Sequence, residues 1–408
     1  MIRGRNIVCL ASNWCDHPTS KHHVMRQLAQ QNHVLWVNFH ASRRPQLTRR
    51  DARLALRRLW QTRTGTRRGA PQLDVLSPLL VPLPESRLAR WINSRVTCRQ
   101  IRSALRRLPA RPLQLWLFAP DIPEVIGQLP AERVVYYCVD DFAAFSGYNT
   151  PLIEALESQT VAASDIVITT SAELLARHRR SHPCAHLVPH GVDFDHFATA
   201  AELPWDAVPD DLKPIRRPVF GYMGVTADYV DLALLARAAA TRPDWSFVLL
   251  GDVRCQTSPL AGLPNVHLLG GRPYARLPAY CRGFDVGLIP FRMNRLTRAV
   301  NPIKLREYLA AGLPVVSAPL EAVKPYVPAV QTAEGLAEFL AACERALQMT
   351  ADAEQRSRQD LVRAESWRCR VEHLSQLVQT LPAATDGPAA GQPPRYGAPS
   401  RETISNSV

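Results

Sequence analysis

Short apolar runs alternate with stretches of helical period along most of the chain. In the first half the runs fall at 6–11, 34–38, 113–118, 134–137, 166–169 and 187–188. In the second half they fall at 219–223, 247–250, 266–269, 286–289 and 315–317. Brief runs that are apolar on both faces and separated by helical segments predict parallel sheets with helices covering each side. Two such series predict an α/β protein of two doubly wound, Rossmann-like domains facing a cleft. Between them, residues 199–218 hold Pro204, Pro209, Pro214 and Pro218 among acidic residues and read as an interdomain linker. Residues 332–347 and 351–377 read as helices. From Pro382 onward Pro, Gly, Ala and Ser dominate, which predicts a disordered tail. The expected plan is a first domain at 1–198, a linker at 199–217, a second domain at 218–365, a closing helix at 366–381 and the tail at 382–408.

Length agrees with this plan, since 408 residues exceed one ordinary core and suit two. No apolar run approaches the ~20 residues that span a bilayer, and the run at 7–11 is too short for a signal-peptide core. The nine cysteines are scattered and form no C-x-x-C pair, so neither a zinc site nor a disulfide framework is suggested. A reducing cytoplasm is the expected compartment.

Charge changes the picture more. The net charge is +13, and ten arginines lie between Arg43 and Arg68 against one acid, Asp51. A second basic stretch runs from Arg87 to Arg111, interleaved with Leu88, Trp91, Ile92 and Ile101. Such segments suit an anionic membrane surface, and equally an ordinary solvated helix face. No nucleic-acid motif accompanies them, so no nucleic-acid partner is expected.

Ligands of doubly wound sheets sit beyond the C-terminal strand ends, so the candidate chemistry lies in the loops and helix starts just after each strand. After 286–289 come Arg292 and then Asn301-Pro302, a good N-cap followed by a good first helical residue. Lys304 stands in the first turn, where it opposes the helix dipole, so an anionic ligand at the free N–H groups would rationalise it. Glu307, one turn on, suits a pair of ribose hydroxyls. After 134–137 come Asp140 and Asp141, either of which could be a general base toward an acceptor hydroxyl. After the first strand, Asn13, Trp14, His22 and His23 are candidate acceptor contacts. Gly224, after 219–223, allows close ligand approach. The stretches 251–254 and 272–274 are expected on the nucleoside side. The G-x-G-x-x-G fingerprint is absent, which argues against a nicotinamide enzyme. Asp193 and Asp195 spell D-x-D but fall at the domain junction, so no metal site is expected.

The segment from Asn301 to Ser317 reads N-P-x-K-x-x-E-Y-x-A-x-G-x-P-V-V and resembles the donor-binding segment of GT-B glycosyltransferases of the family-4 type. The resemblance is nearest to the subgroup of teichuronic-acid and exopolysaccharide transferases and extends over about residues 6–370. It takes in Pro189-His190-Gly191-Val192-Asp193, Phe220-Gly221-Tyr222-Met223-Gly224 and Ser366-Trp367, the last resembling the start of the helix that crosses back to the first domain. It implies a nucleotide diphosphate sugar, UDP-linked, as co-substrate and no other cofactor. Lys304 is then expected on the diphosphate, with Gly224, Arg292 and Asn301 beside it, and Glu307 on the ribose. The implied acceptor is a lipid-linked or polysaccharide hydroxyl, reached by a peripheral protein at the inner face of the plasma membrane. Many retaining members carry a Glu eight residues before the one matched by Glu307, and here that position is Ala299. Two rivals are a nucleotide-sugar epimerase of the same fold, which needs no acceptor, and a non-catalytic partner protein, against which Asp140, Asp141, Lys304 and Glu307 all speak.

Overall fold

A computed structural model describes residues 1–39, 66–349 and 351–381. The basic stretch from Arg43 to Arg63 and the tail at 382–408 lie outside the described residues.

The first domain runs β1 (Asn6–Ala11), α1 (Ser20–Ala29), β2 (His33–Asn38), β3 (Arg67–Ala70), β4 (Leu73–Leu76), α2 (Arg87–Leu105), β5 (Leu113–Leu117), β6 (Ala131–Cys138), α3 (Thr150–Ala162), β7 (Ile166–Thr169), α4 (Ala172–Arg179) and β8 (Ala185–Leu187). Its sheet has the order β3-β4-β2-β1-β5-β6-β7-β8. Every pairing is parallel except β3 with β4. All six residues of β1 are buried, as a central strand covered on both faces requires.

After α5 (Phe194–Glu202), the second domain runs β9 (Val219–Met223), α6 (Leu232–Thr241), β10 (Ser246–Leu250), β11 (Val266–Leu268), α7 (Leu277–Arg282), β12 (Val286–Ile289), α8 (Arg295–Arg298), α9 (Ile303–Ala310), β13 (Val315–Ser317), β14 (Val330–Thr332), α10 (Gly335–Gln348) and α11 (Asp352–Arg363). Its parallel sheet has the order β11-β10-β9-β12-β13-β14. The strand order reverses between β1 and β5 in one sheet and between β9 and β12 in the other. Crevices at such switch points are where open α/β sheets hold ligands.

The last helix, α12 (Trp367–Gln379), leaves the second domain and buries Trp367, Val371, Leu374 and Val378 in the first domain's core beside Met25 and Leu28 of α1. Ser366 caps it, its Oγ accepting from the Cys369 N–H at 3.2 Å.

Residues 199–217, read from their prolines as an interdomain linker, are packed onto the second domain. Thr199 to Glu202 complete α5, while Val208 and Leu212 are buried in the second domain's core. Asp211 is bound by Arg272 and accepts from the Tyr280 hydroxyl at 3.0 Å. The prolines shape a strap whose sparse apolar side chains still find a core.

Candidate active site

The crevice of the second domain is set by how α9 meets β9. The Met223 N–H donates to the Tyr308 hydroxyl at 2.6 Å, which in turn donates to the Gly221 carbonyl at 3.3 Å. This fixes the first turn of α9 over the end of β9, and the Lys304 side chain lies across Gly224 so closely that a Cβ there would collide with it. The first turn of α9 carries no acid to offset Lys304. Glu307 is 7% exposed, and among the described residues no group hydrogen-bonds its carboxylate. Burial pushes its pKa up, Lys304 opposes that, and Asp193 adds to it. A desolvated carboxylate with acceptor capacity unused is suited to hydroxyl donors. Arg292 is half-exposed, with its Nε 3.7 Å from Asp231, so it remains able to reach into the crevice.

Asn301 does not belong to this set, contrary to the sequence expectation. The N-cap position falls on Pro302. The Asn301 amide is buried and donates to the Thr170 carbonyl of the first domain at 2.8 Å, while its oxygen accepts from Arg306 at 2.6 Å. Both ends are used in joining the domains. Arg272 is likewise spent on Asp211 and Tyr280.

Across the cleft, Asp140 and Asp141 leave the end of β6 in different environments. Asp141 is 3% exposed and held from two sides. Arg177 of α4 reaches its Oδ1 at 3.0 Å, and Arg295 of the second domain reaches its Oδ2 at 2.7 Å. Asp140 has no arginine partner among the described residues. Burial, partly offset by Lys21 and reinforced by Asp141, raises its pKa to about 7. Asp140 is also close enough to Tyr229 of the second domain to raise that phenol.

The helix start at α1 engages one of the expected acceptor residues. Thr19 and His22 form a reciprocal cap, with the Thr19 N–H donating to His22 Nδ1 at 3.1 Å. The His22 ring is packed between Trp14 and Trp36 at centroid distances of 5.3 and 4.7 Å. Burial holds its pKa near 3. His22 Nδ1 therefore serves the helix cap, while its buried Nε2 has no hydrogen-bond partner. His23 is also buried, stacked on Trp367 at 5.1 Å with the rings nearly parallel, and 5.5 Å from Tyr274. Trp14 is covered by Arg26 at 5.2 Å. Asn13 donates to Asp16 at 3.3 Å, closing the loop on itself.

Two further residues of this segment, His17 and Lys21, sit among charged groups. His17 lies 5.7 Å from Tyr274 and within electrostatic range of Lys304 and Asp252. Burial lowers the Lys21 pKa, while Asp140, Cys9, Asp16 and Asp121 sustain its charge. The signal was available: Lys21 is a basic residue in the first turn of a helix that has no acid there, the same anomaly that singled out Lys304.

Behind Asp141 lies a buried network. Tyr136 donates to Glu157 at 2.6 Å, the Cys138 thiol lies 3.6 Å from the same oxygen, and Arg177 is 3.4 Å from the other. Cys138, Glu157 and His178 bring one metal-ligating atom each within 4.8 Å of one another. Glu157 already accepts from Tyr136 and faces a guanidinium, so this set reads as a charge-balanced network rather than a metal centre.

Position 299 has a structural role. Ala299 is 2% exposed and belongs to the first domain's core, among Val8, Leu10 and Tyr136. A Glu there would bury an unpaired charge in an apolar cluster.

Residues 217–352 match the family of glycosyl transferases group 1. A teichuronic acid biosynthesis glycosyltransferase, TuaH, assigned provisionally to that role in Bacillus subtilis, is 29% identical over 279 residues, covering 62% of this chain and 69% of its own. Among solved structures, a sucrose-phosphate synthase from Thermosynechococcus elongatus superposes with a TM-score of 0.68 at 15% identity, over 92% of this chain and 99% of the other. The Anabaena protein Alr3699/HepE, solved with UDP, gives 0.61 at 13% identity, over 92% and 100%.

Proposed function

For a chain that is a glycosyltransferase of GT-B fold, with a second domain of the group 1 family, we propose transfer of a sugar from a UDP-linked donor to a hydroxyl of a lipid-linked or polysaccharide acceptor in cell-surface polysaccharide synthesis. UDP is favoured by the UDP complex of the similar Anabaena protein, and the acceptor class by the similarity to TuaH.

In this reading the second domain holds the donor. Lys304 and the free N–H groups of α9 meet the diphosphate, Glu307 takes the ribose hydroxyls, and Gly224 lets the diphosphate approach the backbone. Asp140 takes the proton of the acceptor hydroxyl as its oxygen bonds to the sugar's anomeric carbon. The bond from that carbon to the diphosphate oxygen breaks, and UDP leaves with its added charge stabilised by Lys304 and the helix end. No metal is required, because the positive charge at the leaving group comes from the protein.

The observation that carries this reading is the contrast within the acid pair: Asp141 is neutralised by two arginines, and Asp140, with none among the described residues, has a pKa of about 7. A base poised near the working pH is suited to proton abstraction.

The test is turnover of purified protein with UDP-sugars and membrane-extracted lipid acceptor, with mass detection of product. Asp140→Asn should abolish transfer and spare UDP binding. Turnover by Asp140→Asn near the wild-type rate would refute the role of base. UDP released only when acceptor is present excludes the epimerase, and a chelator should leave the rate unchanged.

The acceptor is met at an anionic membrane surface. Leu79, Val81, Leu83, Leu88 and Trp91 are exposed within one short stretch, beside the five arginines of α2, which has no acid.

A further inference from the structure

We propose that Arg295 is a positioning residue for the reaction: reaching across the cleft from the second domain, it holds the carboxylate of Asp141, and through it the strand end that presents Asp140.

The argument starts with the local fold of residues 294–301. Asn294 and Thr297 cap each other, the Thr297 N–H donating to Asn294 Oδ1 at 3.0 Å and the Asn294 N–H to Thr297 Oγ1 at 2.9 Å. This one-turn helix directs Arg295 out of its own domain. Its Nε donates to Asp141 Oδ2 at 2.7 Å and its Nη2 to Glu154 of α3 at 2.8 Å. Further along, Ala299 sits in the first domain's apolar core and Asn301 donates to Thr170. The segment belongs to the second domain by chain order, yet the first domain grips it at three successive points.

Arg177 completes the arrangement: it meets Asp141 Oδ1 at 3.0 Å, while Arg295 forks over both oxygens, at 2.7 Å to Oδ2 and 3.4 Å to Oδ1. Arg177 belongs to the first domain, whereas Arg295 travels with the donor. The carboxylate adjoining the base is therefore fully paired only while the donor domain is seated on it. Planar guanidinium forks fix orientation as well as charge, and Asp140 adjoins Asp141 on the same strand end.

This rests on the reading of Asp140 as the base. The groups facing Asp140 are Lys21 from α1, Tyr229 from the second domain, and Cys138 and Asp141 on its own segment. Those facing Asp141 are Arg177 and His178 of α4, Glu157 of α3 and Arg295. Removing Arg295 leaves Asp141 more negative beside Asp140. That makes Asp140 harder to ionise, so the acidic limb of the rate profile must move to higher pH.

The test is kcat and KM against pH for the full chain, with UDP-sugar and membrane-extracted acceptor, and UDP affinity measured by calorimetry. Arg295 is half-exposed, and a melting curve checks that its variants fold. Arg295→Ala should lower kcat by roughly 10- to 100-fold, as small misplacements of reacting groups do. It should leave UDP affinity within about twofold and raise the acidic limb by on the order of half a pH unit. Arg295→Lys keeps the charge and loses the fork, so the limb should stay in place and kcat should recover in part. A wild-type kcat in Arg295→Ala, or a loss of kcat with an unmoved limb, overturns the proposal. If Asp140→Asn is inactive in that same outcome, the base reading survives and only the role of Arg295 fails.

Discussion

The Lys304 side chain occupies the space that a Cβ at Gly224 would need. A methyl group at Gly224 would meet the Lys304 side chain, so Gly224→Ala should displace the ammonium and weaken UDP binding although no charge is lost. Lys304→Ala removes a charge-assisted contact of the kind worth about 1.5–3 kcal/mol, so UDP affinity should fall roughly 10- to 100-fold in a titration. Unchanged affinity in Lys304→Ala would mean that the diphosphate binds elsewhere. With Asp140 as the proposed base, its carboxyl sets the expected pH dependence. A general base works unprotonated, and this carboxyl is pushed up to about 7. The rate should therefore rise with pH through about 7 and level off above it.

Helix α12 is joined to the rest by close contacts and not by its length. A Cβ at Gly191 would lie 2.9 Å from the backbone nitrogen of Trp367, so glycine is required for the chain to pass. The Trp367 ring is stacked on His23 and lies 6.0 Å from His190. Truncating so large a buried side chain costs about 3–5 kcal/mol, and Trp367→Ala should lower the melting temperature accordingly. Burial holds both His23 and His190 near pKa 3, against about 6.5 when unfolded. The unfolded chain thus binds more protons between these values, and stability rises with pH across that window. The stability is fully present above about 6.5 and is lost as pH falls toward 3. Melting curves between pH 7 and 4 should show the loss, and His23→Gln should reduce the slope. Strands with little apolar content escaped the sequence reading at this scale. Arg67–Ala70 has exposed arginines and an edge position, and Val330–Thr332 is a three-residue edge. Edge strands need burial on one side only and carry a weak periodic signal.

At the scale of the molecule, one stretch of surface combines exposed apolar side chains with arginines. Leu88 is 67% exposed and Trp91 52%, with Arg95 5.3 Å from the indole. Apolar residues beside a one-signed helix fit anionic lipid by both hydrophobic and Coulomb terms. Leu88→Ser with Trp91→Ser should reduce sedimentation with phosphatidylglycerol vesicles and leave turnover of a water-soluble acceptor unaffected. Binding should weaken as salt rises, because exposed charges are screened. Equal sedimentation of the variant and the parent protein would refute the proposed membrane contact at this stretch. No helix among the described residues is long and apolar enough to cross a membrane.

The sequence by itself determined the two parallel sheets, because buried central strands must be apolar on both faces. It also singled out Lys304 and Glu307, because a helix start with a misplaced charge is a local anomaly. Only the tertiary structure gave Asp140 and Asp141 different environments. Their difference is made by Arg177, Arg295 and Lys21, which lie far away in sequence and in part on the other domain. The same holds for Asn301, whose polar side chain reads as a ligand contact until the packing puts Thr170 and Arg306 on its two ends. It holds as well for Ala299, whose small size is explained by a core belonging to the opposite domain. Strand identity is a short-range property of the chain, whereas the charge state and free valence of a side chain depend on whichever groups folding brings beside it.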